Sequence, residues 1–187
     1  MLHDWGETWE RFGGQPGQPI TLAGFMQQMA RRNRTGLDLK KLCDWMILHP
    51  DTKIITDVKT QNISALSLIL NRIPKARQRV IPQAYSFDEW DALVGMGFDR
   101  VLLTVYRRAQ RSFMLRTFIT KRHPWGLTLP KDRASHDSIV QFARDHGVYV
   151  FAHTVNTHTE AQNLIKSGVS EIYTDFLLPI DESESTP

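Results

Sequence analysis

Lys53-Ile54-Ile55-Thr56-Asp57-Val58-Lys59-Thr60 is the stretch on which the reading of this chain turns. A β-branched apolar run ends there in an acid, an apolar residue and a base. In an extended chain successive side chains point to opposite faces, so Asp57 and Lys59, two apart, leave the strand side by side. At the carboxyl end of a strand, that is how a barrel enzyme displays a metal ligand beside an anion-binding cation. The octapeptide also reads as a surface strand closed by an exposed ion pair.

Upstream, residues 1–19 are an irregular loop after His3-Asp4, marked by Gly13, Gly14, Pro16, Gly17 and Pro19. Thr21 is a good N-cap for a helix carrying Leu22, Phe25, Met26 and Met29, and a second helix fits Leu39 to Leu48. Ile54, Ile55 and Val58 then make a short strand, and Ile63, Leu66, Ile69 and Ile73 a helix stopped by Pro74.

Downstream the same unit recurs in pattern though not in sequence. Strands are expected at residues 79–83, 101–105, 148–153 and 171–174, with a weaker one at 126–129. The capping box Ser86-Phe87-Asp88-Glu89 opens a helix with Phe87, Trp90 and Val94 on its apolar face, and Gly97 lies beyond its end. A helix is expected over residues 109–120. Another carries Ile139, Phe142 and Ala143 and closes at Gly147. A second capping box, Thr157 to Glu160, opens a helix that turns Ala161, Leu164 and Ile165 inward and ends at Gly168. Apolar strands alternating with helices indicate about six parallel β/α units. A closed barrel needs eight and usually about 250 residues. The chain is therefore either an open doubly wound sheet or a barrel lacking two units.

The 187 residues are enough for one sizeable core, and 41% hydrophobic composition places them among soluble globular proteins. One domain over residues 1–179 is expected, followed by an acidic, serine-rich tail, 180–187, with nothing to bury and expected to be disordered. A net charge of +3 is too small an excess to argue for nucleic acid, although it suits a small anionic ligand. The single cysteine, Cys43, excludes an internal disulfide and reads as a buried thiol. With no run of about 18 apolar residues for a membrane span and no signal-peptide pattern at the start, the expected location is cytoplasmic. The seven histidines show no metalloprotease spacing. Arg107, Arg108 and Arg111 read as a solvated charge run.

Taken together, several of these segments resemble the glycerophosphodiester phosphodiesterase family, metal-dependent (β/α)8 TIM barrels among the phospholipase C-like phosphodiesterases. His3-Asp4 resembles its His-Asp pair, and Thr56-Asp57-Val58-Lys59 its third-strand acid-x-Lys motif. Val80-Ile81-Pro82-Gln83 resembles the next strand. His153-Thr154-Val155-Asn156 is similar to its Trp-Thr-Val-Asn motif with histidine in place of tryptophan, and residues 168–175 to its closing strand. The family's His-Arg pair and Glu-x-Asp motif, which supply a catalytic histidine and two metal carboxylates, precede the first of these matches and are absent. The resemblance thus implies an α/β fold, an incomplete (β/α)8 TIM barrel of about six units with the first strands missing.

It further implies hydrolysis of glycerophosphodiesters to glycerol 3-phosphate and an alcohol, with Ca2+ or Mg2+ as cofactor. His3 would be the general acid and Asp57 a metal ligand, one methylene shorter than the family's usual glutamate. Lys59, Gln83 and His153 would contact a small anionic phosphodiester, while Asn156 and Asp175 order turns. A non-catalytic, phosphate-ester-binding remnant of the same fold is the alternative. An unrelated barrel using Lys59 as a Schiff-base amine is a third reading. Missing strands would leave exposed sheet edges, and hence a route to self-association.

Overall fold

The structure, a computed structural model, describes residues 9–10, 13–106, 112–136 and 138–178. His3, Arg107, Arg108, Arg111 and the expected tail lie outside the described residues. The chain forms two compact units, Met1–Arg79 and Val80–Pro187.

In the first unit, Thr21 caps α1 (Leu22–Arg31) by accepting a hydrogen bond from the Gly24 amide at 3.2 Å. Asp38 caps α2 (Leu39–Leu48) through the Lys41 amide at 2.7 Å. The inner face of α2 buries Cys43 and Met46. Strand β1 (Ile54–Thr56) is followed by α3 (Asn62–Leu70), which buries Leu66 and Ile69, and by a single turn, α4 (Ala76–Arg79). Arg79 is almost fully buried. Its Nη2 donates to the carbonyls of Met46 at 2.8 Å and His49 at 2.6 Å, and its Nε to that of Thr52 at 3.2 Å. One side chain thereby ties together three carbonyls at and just beyond the end of α2. Gly14 lies against Trp9, where any Cβ would sit 1.9 Å from the indole ring.

The second unit carries β2 (Val80–Ala84), α5 (Phe87–Gly95), β3 (Leu102–Thr104), α6 (Ser112–Arg122), β4 (Gly126–Pro130), α7 (Lys131–His136), α8 (Ile139–Asp145), β5 (Tyr149–His153), α9 (His158–Lys166) and β6 (Glu171–Ile172). Strands β2 to β6 are parallel and lie side by side in chain order. That order excludes a doubly wound sheet, whose strand order reverses at a switch point. It is the winding of a (β/α) barrel, which closes with eight strands, and the described residues supply six. Leu103, Leu127, Leu129, Val150 and Ala152 form one face of this sheet and are wholly buried.

The N-cap half of both capping boxes forms. Ser86 Oγ accepts from the Glu89 amide and Thr157 Oγ1 from the Glu160 amide. Of the two glutamates, Glu89 accepts from the Tyr85 amide at 2.6 Å, and Glu160 pairs with Lys131 at 2.8 Å. Two inward assignments are corrected. Val94 and Ile165 are exposed, because the buried stripes of α5 and α9 centre on Trp90 and Leu93 and on Leu164. Val58 lies beyond β1, and the helix expected to run to Ile73 ends at Leu70, before Pro74.

Candidate active site

In the first unit the three residues of β1 carry the chain into the segment holding Asp57 and Lys59. Lys59 Nζ stands 2.8 Å from Asp57 Oδ1, and each side chain is 29% exposed. Both residues lie beyond the last residue of β1, and they meet as an ion pair. At that exposure the pair contributes little to stability, about 0–1 kcal/mol, so folding does not depend on its staying closed.

In the second unit, register places Gln83, Thr104, Thr128 and His153 on one face of the sheet, towards the carboxyl ends of β2, β3, β4 and β5. Thr104 Oγ1 donates to Gln83 Oε1 at 2.8 Å, both residues being buried. Thr128 is 2% exposed, and its hydroxyl has no hydrogen-bond partner among the described residues. Beyond this polar row stands a chain of rings. Tyr85 stacks on Tyr106 at 6.1 Å between centroids, Tyr106 meets His153 edge-on at 5.3 Å, and His153 meets Tyr173 at 6.4 Å. Gln83 and His153 are therefore on one face but three strands apart, Gln83 bonded to Thr104 and His153 in contact with Tyr106.

Asn156 and Asp175 form a latch between the segments following β5 and β6. Asn156 Nδ2 donates to Asp175 Oδ2 at 3.0 Å, and Asn156 Oδ1 accepts from the Asp175 amide at 2.9 Å and the Thr174 hydroxyl at 3.2 Å. Those side chains are spent on holding two loops. Surface grooves along α5 and α6 and along α7 and α9 are lined by none of the expected site residues.

A calcium or magnesium site needs several oxygen ligands around one point. Asp57 supplies one carboxylate, already engaged by an ammonium group, and among the described residues no group of three or more His, Cys, Asp or Glu side chains is placed to hold a metal. The described donors do not fit a divalent cation.

Sequence reading missed Thr104, Thr128, Tyr85, Tyr106 and Tyr173. The signal that finds them is their place at or just past the end of an apolar strand, two residues on from another position of the same face.

The chain superimposes on solved phosphodiesterases. Glycerophosphodiester phosphodiesterase from Thermotoga maritima matches with a TM-score of 0.70 at 16% identity, over 92% of this chain and 73% of that one. The fold is that of the glycerophosphodiester phosphodiesterases. The enzyme from Agrobacterium tumefaciens matches at 13% identity and a TM-score of 0.57, over 87% of this chain and 71% of its own. That from Parabacteroides distasonis matches at 16% and 0.56, over 73% and 59%. No family model and no curated protein matches the chain. Glycerophosphodiester phosphodiesterase architecture thus persists here where sequence identity has fallen to the level at which it attests the fold alone.

Proposed function

We propose that this chain recognises glycerophosphodiesters and hydrolyses them to glycerol 3-phosphate and an alcohol. The observation that carries the proposal is the Asp57–Lys59 pair just past the end of β1, in a fold whose solved relatives bear that activity in their names. In this reading Lys59 offsets charge on the phosphoryl oxygens, and an ammonium group placed before the reaction spends nothing on reorganisation during it. The family resemblance also assigns substrate contacts to Gln83 and His153. His3 protonates the leaving alcohol oxygen, a role suited to imidazole near neutral pH. Part-exposed and paired with a carboxylate, Lys59 is not the amine buried in an apolar pocket that Schiff-base chemistry calls for. The free buried thiol of Cys43, the single cysteine, supports a cytoplasmic setting.

The second reading is a phosphate-ester-binding module that turns nothing over. The shortage of metal ligands among the described residues favours it. Incubation of the chain with glycerophosphoethanolamine, with released glycerol 3-phosphate measured by a coupled dehydrogenase, separates the two. Hydrolysis that Lys59→Met lowers by about 10²-fold supports catalysis. Binding of the diester with no product above background supports the module.

A further inference from the structure

The carboxylate of Asp57 sits against an ammonium group, where the donors of a cation site would have to gather. A divalent cation arriving there would have to detach Lys59 and then lie beside its positive charge, with the carboxylate of Asp57 in no larger group of ligands among the described residues. A phosphate ester meets the opposite situation. It is drawn to Lys59, and its obstacle is the carboxylate already there. The charge balance of the first unit's sequence favours the anion: residues 1–79 hold twelve Lys and Arg against seven Asp and Glu.

We propose that Asp57 and Lys59 form a phosphate-ester site that works without a divalent cation, in which Asp57 is an internal competitor that the bound phosphate displaces from Lys59. This rests on the reading of the ligand as a phosphate ester. It assigns Asp57 a role opposite in sign to that of a metal ligand. A metal ligand helps the anion bind, and its removal weakens binding; a competitor hinders the anion, and its removal strengthens binding.

The probe is glycerol 3-phosphate, titrated calorimetrically into the full chain in EDTA and again in Ca2+ or Mg2+. In EDTA, Asp57→Asn is expected to bind about two- to five-fold tighter than the native chain, the scale of a part-exposed ion pair removed. Lys59→Met is expected to lose about tenfold or more. Asp57→Ser, smaller and also uncharged, must repeat the gain, which guards against a folding artefact of one variant. Binding tightened tenfold or more by the cation in the native chain, and weakened by Asp57→Asn, overturns the inference, as does the absence of binding in EDTA. Turnover of glycerophosphoethanolamine is measured on the same protein preparations before any glycerol 3-phosphate is added. Metal-free binding with the Asp57→Asn gain but no hydrolysis supports the inference while ending the hydrolytic reading. Hydrolysis without that gain does the reverse.

Discussion

Thr104 and Thr128 are register partners on adjacent strands, both 2% exposed, and their hydroxyls have opposite fates. Thr104 donates to Gln83, whereas Thr128 has no partner among the described residues. Burying a hydroxyl unpaired costs about 1–3 kcal/mol, while losing one partner of a buried pair leaves the other exposed to the same penalty. The near-isosteric change to valine should therefore act in opposite directions. Thr128→Val is expected to stabilise by about 1 kcal/mol and Thr104→Val to destabilise by about 1–2 kcal/mol in urea unfolding. Neither threonine stood out in the sequence, because in Leu102-Leu103-Thr104 a threonine looks like one more β-branched strand former. Gln83 did, since an amide in an apolar run asks for a partner. Lys131 gives a pH test. Its hydrogen bond to Glu160 raises its pKa above the usual 10.5. A raised base stabilises the fold below its unfolded pKa and loses that contribution as the pH climbs through the raised value. Lys131→Met should lower the melting temperature slightly near neutral pH, and the difference from the native chain should shrink as the pH passes above 10.5.

Among the elements, helices with a polar cap before an apolar stripe were readable, and α1, α5 and α9 begin where Thr21, Ser86 and Thr157 place them. The cap fixes the start because its side chain satisfies an amide that the helix cannot. The single turn α4 and the six-residue α7 were not readable, being too short to show a helical period. Yet α4 carries the arginine that ties the first unit together. Arg79 reaches back some 30 positions to three carbonyls, and no local pattern announces a partner that far away. Removing its guanidinium leaves those carbonyls without their charged donor. Arg79→Met is expected to cost about 3 kcal/mol, seen as a lower urea midpoint with an unchanged slope. A loss under about 0.5 kcal/mol would mean that solvent reaches those carbonyls in its place.

For the molecule as a whole, the alternation of period between strands and helices gave the parallel β/α class and the number of strands, because parallel strands buried on both faces read as short apolar runs. Strand order was not legible. Only the register of β2 to β6 in chain order separates an incomplete barrel from a doubly wound sheet, since both arise from the same alternation. The incompleteness has a physical consequence at β6, which pairs with β5 on one side and has no neighbouring strand on the other among the described residues. An open edge of this kind recruits other chains unless it is short or charged, and β6 is both, with two residues and the exposed Glu171. Replacing that charge by a strand-forming side chain should turn a tolerated edge into an adhesive one. In sedimentation velocity at about 10 μM and above, Glu171→Val is expected to show a weight-average mass rising with concentration beyond the native profile. Coincident profiles at the 21.6 kDa monomer mass would show that the length of β6, rather than the charge of Glu171, keeps this edge closed.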